Sequence, residues 1–155
     1  MNDTAASHDL LYFDDFSPGQ RIVSGTYEMT LDEIRDFASK YDPQPFHMDP
    51  EAAKKTVFRT LVASGWHTMA VTMRLLVKGG MPVAGGMVGL GAQLSWPRPT
   101  LPGDILQVHT EVVEAALSKA KPDRGTVTMH SETKNQRGEV VLDFTGRLIV
   151  PRRPA

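Results

Sequence analysis

The segment LVASGWHTMAVTMRLLVKGG, residues 61–80, decides the fold because it is the most apolar helix candidate in the chain. Apolar side chains recur at helical spacing from Leu61 to Val77 and cover most sides of the predicted helix. A helix of that kind is buried in a core. Gly79 and Gly80 supply the signal that ends it. The sequence therefore predicts a domain built around one long buried helix.

The chain after this helix has strand character. Apolar and polar residues alternate along most of it, and short turn sequences separate the alternating runs. The predicted strands are residues 88–96, 105–114, 126–134 and 140–150. Successive strands joined by short turns pair antiparallel. Together with the helix they predict an α+β fold, in which an antiparallel sheet wraps around one long central helix.

One more strand and one more helix are predicted before the long helix. Residues 21–29 alternate well enough for a strand. Thr30, with Glu33 three residues later, forms a capping box, and the helix that it starts is predicted to end near Lys40. Both elements therefore lead into the segment that follows Lys40.

The composition is typical of one soluble globular domain. The 155 residues are 41% hydrophobic with a net charge of −1, so no basic excess indicates nucleic acid or a membrane as a partner. The absence of cysteine excludes disulfides, thiolate nucleophiles and zinc–thiolate sites. Neither a signal peptide nor a membrane-spanning run is present, so a cytoplasmic protein is expected. The predicted organisation is a flexible N-terminal tail (1–11), one domain (12–150) and a C-terminal tail (151–155).

The chemistry is predicted to lie in YDPQPFHMDP, residues 41–50, which has two acids, one histidine and three prolines in ten residues. Proline fixes φ and pushes the preceding residue toward extended backbone, so a stiff, non-repetitive loop is expected. Stiffness suits acid–base chemistry because both groups must stay within hydrogen-bond reach of one reacting atom. Asp42 and His47 are the predicted pair: one takes a proton from a bound water while the other gives one.

Purely structural interpretations of this loop stay open. Asp42 could cap a turn while His47 bonds to backbone. Asp49, followed by Pro50 and Glu51, has the pattern of a helix start, and a capping role is the preferred interpretation for it. A metal site is not predicted, because a third nitrogen ligand or a HExxH-type spacing is missing.

Ser64 and Gly65, at the start of the long helix, offer a second functional feature. Free N–H groups at a helix N-terminus stabilise developing negative charge, and Gly65 has no side chain to keep a carbonyl away. Close packing between helix and sheet explains the glycine equally well. His67 is expected to be a hydrogen-bonded core or cleft-edge residue, with a role in lining the site as the less favoured alternative.

These residues together resemble a known family. DPQPFHMD, residues 42–49, looks like the D-x-N-P-x-H-x-D motif of the MaoC-like (R)-specific enoyl-CoA hydratases. The resemblance covers roughly residues 12–150 and includes FDDF (13–16), ASGWHT (63–68), WPRP (96–99) and PGD (102–104). It implies a hotdog fold, and it implies a homodimer or higher homo-oligomer with sheets joined edge to edge.

The resemblance implies a hydro-lyase of fatty acid metabolism. Its reaction is the reversible syn addition of water to a trans-2-enoyl thioester, giving an (R)-3-hydroxyacyl thioester. Carried over by position, Asp42 and His47 form the catalytic dyad and the N–H of Gly65 binds the thioester carbonyl. Coenzyme A carries the acyl group, and no metal or redox cofactor is implied. Further residues that could line the site are Gln44, Ser64 and His67.

Two positions depart from the family pattern, and two other functions stay open. Gln44 stands in place of the family's asparagine, and Met73 stands where the hydratases often have a serine; both indicate a different or smaller acyl group. A non-catalytic acyl-thioester-binding module would leave the pairing of Asp42 with His47 unexplained. An acyl-CoA thioesterase is less favoured, because residues 66–77 contain no Asp or Glu.

Overall fold

The structure, a computed structural model, describes residues 9–155. Its helices are α1 (Leu31–Tyr41), α2 (Pro45–Met48), α3 (Pro50–Ala53) and α4 (Gly65–Leu75), and a π-helical segment, Leu76–Gly80, continues α4. Its strands are β1 (Arg21–Glu28), β2 (Val88–Ser95), β3 (Ile105–Leu117), β4 (Arg124–Lys134) and β5 (Val140–Pro151). No helix in this described part is long and apolar enough to cross a membrane.

The five strands form one antiparallel sheet in the order β1-β3-β4-β5-β2. β3, β4 and β5 follow one another as hairpins, as the sequence predicts. β3 extends beyond its predicted end at residue 114, because a register shift between Val112 and Glu114 lets the pairing continue to Leu117. β2 pairs with β5, and its other edge faces no strand within residues 9–155.

The central helix packs on one face of this sheet, which confirms the predicted α+β architecture. α4 contacts β1, β3 and β5, and Val71 and Leu75 are buried in the same apolar cluster as side chains of the sheet. Buried members of that cluster on β3, β4 and β5 are Leu106, Val108, Val112, Val127, Met129, Val141, Leu142, Phe144, Leu148 and Val150. Removal of these side chains from water is the main force that holds helix and sheet together.

One face of α4 differs from the prediction. The sequence predicts burial on most sides, but Trp66 is 56% exposed and Val77 is 52% exposed, with Ala70 and Arg74 exposed between them. Because these residues recur at helical spacing, they form one stripe along the helix. The prediction of burial is therefore wrong for this stripe in the isolated chain, and it holds for the opposite side of the helix, where Val71 and Leu75 are buried.

The start of α4 also differs, because residues 61–63 lie outside the helix. The N–H of Val62 bonds to the carbonyl of Phe46 at 2.9 Å, and the N–H of Ala63 bonds to the carbonyl of Thr100 at 2.8 Å. Both donors are thus used by neighbouring segments and the helix begins only at Gly65. These two bonds bring residues 46 and 100 to the N-terminus of α4.

The proline-rich segment between α1 and α4 is more regular than predicted. Pro45–Met48 and Pro50–Ala53 are each a single helical turn with proline at its first position, where the missing N–H costs nothing. The prediction of a wholly non-repetitive loop is therefore wrong. The predicted cap is present: the Asp49 carboxylate accepts a bond from the N–H of Glu51 at 3.0 Å.

The chain ends are tied to the domain where they are described. Residues 1–8 of the predicted flexible tail lie outside the residues that the structure describes. Leu11 forms a β-bridge with Val83. At the other end, Pro151 belongs to β5, and the Arg153 guanidinium bonds to the Asp15 carboxylate at 2.7 Å.

Candidate active site

The acid and the imidazole predicted to act together lie side by side. Asp42 follows the last residue of α1, and His47 lies in the single turn α2. His47 Nε2 is 3.1 Å from Asp42 Oδ2. The His47 side chain is 6% exposed and that of Asp42 is 17% exposed, so the pair is largely shielded from solvent with one side still reachable. The two prolines between them and the turn of α2 fix this geometry.

Hydrogen bonding determines where the His47 protons sit. Nδ1 is 2.6 Å from the carbonyl oxygen of Val62, and because a carbonyl only accepts, Nδ1 carries a proton. The contact between Nε2 and the Asp42 carboxylate is a hydrogen bond only if another proton lies between the two atoms. The pair therefore offers a proton acceptor in the Asp42 carboxylate and, whenever Nε2 carries a proton, a proton donor in the His47 imidazole.

Two further side chains fix the Asp42 carboxylate. The Ser64 hydroxyl donates to Oδ2 at 2.7 Å, and the Gln44 amide donates to Oδ1 at 2.6 Å. Burial acts to raise the pKa of Asp42, but the bonds from Ser64 and Gln44 and the adjacent His47 outweigh it, so the pKa lies below its ordinary value. A carboxylate has about four acceptor positions, so one remains for a water molecule.

The N-terminus of α4 lies at the same place. Ser64 is the N-cap: its hydroxyl oxygen accepts from the N–H of Trp66 at 3.2 Å. The N–H of Gly65 has no acceptor among residues 9–155, and Gly65 and the acid–histidine pair line the same cavity. A free donor at the positive end of a helix can stabilise a negative oxygen there.

This cavity has a volume of about 280 Å³. The sequence analysis singled out four of its residues, Asp42, Gln44, His47 and Gly65, and a fifth, Ser64, reaches it through Asp42. It gave no site role to the other lining residues, several of which lie in the family-like stretches 42–49, 63–68 and 96–99, and which only the fold brings together: Phe46, Phe58, Val62, Ala63, Trp66, Thr68, Trp96, Arg98, Pro99 and Thr100. The two tryptophans of the chain both belong to this set, with their rings edge to face and 5.3 Å between centroids.

His67 is not part of this cavity, which corrects its prediction as a residue that could line the site. Its ring stacks on Phe37 of α1 with 4.6 Å between centroids, because position 67 projects from another side of α4 than Gly65. It is buried, but its Nδ1 has no hydrogen-bond partner among the described residues. Burial lowers the pKa of His67, and the charge of Glu33 only partly opposes this. Met73, two turns further along, does not line the cavity either.

No group of three or more His, Asp or Glu side chains within residues 9–155 is arranged to hold a metal ion. The charged side chain at the cavity wall besides Asp42 is Arg98, which pairs with Glu139 at 2.9 Å. What the arrangement can do chemically is to accept a proton, donate a proton and stabilise a negative oxygen, all within one small cavity.

Known proteins share this arrangement of sheet and helix. The sequence matches the family described as MaoC like domain over residues 15–135. A MaoC-like dehydratase from Rhodospirillum rubrum is 50% identical and superposes with a TM-score of 0.91, covering 94% of this chain and 99% of that one. The (R)-hydratase PhaJ1 from Pseudomonas aeruginosa is 28% identical with a TM-score of 0.74, covering 92% of this chain and 86% of that one. A 3-hydroxybutyryl-CoA dehydratase from Methylorubrum extorquens is 29% identical over 146 residues, 93% of this chain and 87% of that protein.

The antiparallel sheet around a central helix and these structural neighbours define a hotdog-fold protein. The chain belongs to the MaoC-like family, in which dehydratases and hydratases occur. The family and fold predicted from the sequence motif are thereby confirmed.

Proposed function

We propose that this chain hydrates a trans-2-enoyl thioester of coenzyme A reversibly to the (R)-3-hydroxyacyl thioester. The observation that carries the proposal is the position of the Asp42–His47 pair beside the free N–H of Gly65 in one cavity. The pair supplies one proton acceptor and one proton donor, and the N–H supplies the oxyanion contact that an enolate needs. The similar hydratase and dehydratase support the same reaction class.

In the proposed reaction, a water held by Asp42 and His47 attacks C3 of the enoyl group. Asp42 takes one proton from the water as the C3–O bond forms, and the electrons of the double bond move through C2 to the carbonyl oxygen. Gly65 N–H stabilises the resulting enolate oxygen. The proton on His47 Nε2 then passes to C2, and transfer of the Asp42 proton to Nε2 restores the pair. Both groups act from one side of the substrate, so the addition is syn.

The cavity supports a short acyl group. Its volume of about 280 Å³ lies near the lower end of the range of about 300–1,000 Å³ for small-molecule pockets. Phe46 and Phe58 pack edge to face at 5.1 Å between centroids and form part of its wall. We therefore expect a four-carbon enoyl group to be used better than an eight-carbon one.

A homodimer is part of the proposal. The free edge of β2 exposes Val88 and Leu90, 52% and 50% accessible, and the stripe on α4 exposes Trp66 and Val77. An unpaired edge strand beside exposed apolar side chains favours association with a second sheet edge. A second copy of the chain, joined through β2, would cover both features.

Three parallel assays on the wild-type protein test the proposed function. Crotonyl-CoA is added, and the enoyl-thioester absorbance, the release of free thiol and the heat of binding are recorded. We expect the absorbance to fall without thiol release, and chiral analysis to show the (R)-product. Thiol release would identify a thioesterase, and binding without either change would identify a binding module; each result would contradict hydration.

A further inference from the structure

The Trp96 indole packs on the first turn of α4 at the position where that turn has no side chain. A Cβ at position 65 would lie 2.5 Å from Cε2 and 2.7 Å from Nε1 of the indole. Protein interiors are close-packed but do not tolerate contacts of that length. The glycine at 65 is therefore explained by the indole that covers it, and open space for a substrate is not needed to explain it.

Trp96 also fixes the orientation of a peptide plane. Its Nε1–H donates to the carbonyl of Gly65 at 2.9 Å, and the hydroxyl of Ser64 accepts from the N–H of Trp66 at 3.2 Å. Both bonds hold the planar peptide between residues 65 and 66, one at each end. The preceding peptide is held through the Ser64 carbonyl, which accepts from the N–H of Thr68 at 3.1 Å. Its own N–H, that of Gly65, is the donor that stays free.

We propose that Trp96 is a positioning residue for the thioester carbonyl. It holds the first turn of α4 so that the Gly65 N–H points toward the carbonyl oxygen, and it acts through the backbone without touching the reacting atoms. This inference rests on the proposed function, because it assigns Trp96 a part in binding the thioester. Phenylalanine at position 96 keeps an aromatic ring against Gly65 but removes the donor to its carbonyl.

Two ligands that differ at one atom test this role without turnover. Butyryl-CoA has a thioester carbonyl and no double bond, and S-butyl-CoA is the thioether that lacks the carbonyl oxygen. Calorimetric titration of both gives a ratio of affinities that reports the carbonyl contact alone. In wild type we expect butyryl-CoA to bind more tightly, and in Trp96→Phe we expect that preference to fall about three- to tenfold, the net worth of one hydrogen bond.

Tyr41→Phe is the matched control. Tyr41 is 72% exposed and does not line the cavity, so the change removes one aromatic donor elsewhere and the thioester preference should persist. A Trp96→Phe protein that keeps the wild-type preference would overturn the positioning role while leaving the proposed function intact. A wild type that binds neither ligand would remove the proposed function, and this inference would fall with it.

A double-mutant cycle tests the fit between indole and glycine. Gly65→Ala should lower Tm strongly in the wild-type background, because the new Cβ meets the indole. In a Trp96→Ala background the same change should lower Tm by much less, because the indole is gone. Equal losses in the two backgrounds would show that Gly65 is required for another reason, and the assignment would be wrong.

Discussion

The hydroxyl of Ser64 donates a hydrogen bond of 2.7 Å to the Asp42 carboxylate, joining two residues that are 22 positions apart in the chain. The same oxygen accepts the N–H of Trp66. One buried side chain therefore caps the central helix and fixes the acid of the proposed dyad. We therefore expect stability and the proposed activity to be coupled at this residue.

Ser64→Ala should lower both the stability of the protein and its hydration activity. Loss of an N-cap costs about 0.5–2 kcal/mol of the free energy of unfolding, which urea unfolding measures. The Asp42 carboxylate loses one of the bonds that orient it, so kcat for crotonyl-CoA should fall about tenfold, the effect of one charge-assisted hydrogen bond.

Thr30→Ala is a control that separates the loss of a helix cap from the loss of the bond to Asp42. Thr30 caps α1 through a bond from the N–H of Glu33 at 3.2 Å, and it does not line the cavity. Its loss should cost a similar free energy of unfolding with kcat unchanged. Equal kcat in Ser64→Ala and Thr30→Ala would show that the bond from Ser64 to Asp42 has no catalytic role.

Gln44→Leu should change the pH dependence of the reaction. The Gln44 amide, donating to Asp42 Oδ1 at 2.6 Å, is one of the groups that hold the pKa of Asp42 below its ordinary value. Without it the carboxylate is protonated at higher pH, so the acid limb of the kcat/KM profile should move to higher pH. If the acid limb stays at the wild-type pH, either Gln44 does not affect the pKa of Asp42 or Asp42 is not the group that takes up the proton.

His67 should make stability depend on pH. Burial lowers its pKa in the folded state below the ordinary value of 6.5. As the pH falls through 6.5, the unfolded chain binds a proton before the folded one does, so stability is lost until the pH reaches the folded pKa. His67→Phe should remove the part of this loss in the free energy of unfolding that is due to His67. Urea unfolding from about pH 8 to pH 5 measures it.

His109→Gln, on β3 and away from Phe37, controls for the loss of one histidine. If the slope of the unfolding free energy against pH is the same in wild type and His67→Phe, the buried imidazole is not its source.

Gly125→Ala should destabilise the contact of β4 with Phe13, which lies in the short 3-10 helix Phe13–Asp15. A Cβ at position 125 would overlap the ring of Phe13 and lie 2.9 Å from the carbonyl oxygen of Ala116. Overpacking of this kind costs about 1–3 kcal/mol, which urea unfolding detects. Gly25→Ala on β1, where a Cβ meets nothing within 4 Å, should cost much less, and equal costs would contradict the account.

Much of the fold follows from local patterns. The strands β3, β4 and β5 were predictable because alternation and turn residues determine which face is buried. β2 was also predicted, but its side chains are exposed along almost its whole length and show no alternation in burial. The N-cap of α1 was predictable because Thr30 and Glu33 are neighbours in sequence. The predicted capping box is only half formed, because the Glu33 carboxylate accepts a hydrogen bond from the Tyr27 hydroxyl at 2.7 Å. The true start of α4 was not, because it depends on the carbonyls of Phe46 and Thr100, which the fold brings to residues 62 and 63.

The site also contains residues with a local sequence signal and residues that only the fold brings together. Asp42 and His47 lie five positions apart, so their pairing has a local signal, namely a stiff loop with an acid and an imidazole. Trp96 meets Gly65 from 31 positions away, and no spacing rule joins them. His67 is buried, as its preferred interpretation has it; the less favoured role in lining the site fails, because sequence proximity to Gly65 does not determine which side of a helix a residue faces.

The most direct test of the account is kcat/KM for the hydration of crotonyl-CoA by wild type and Asp42→Asn. The account predicts hydration by wild type and a loss of about a hundred- to ten-thousand-fold in the variant, the usual contribution of a positioned acid or base. Circular dichroism establishes that the variant is folded. An Asp42→Asn protein with the wild-type rate would contradict the assignment of Asp42, and a folded wild type that hydrates no enoyl thioester would contradict the proposed reaction.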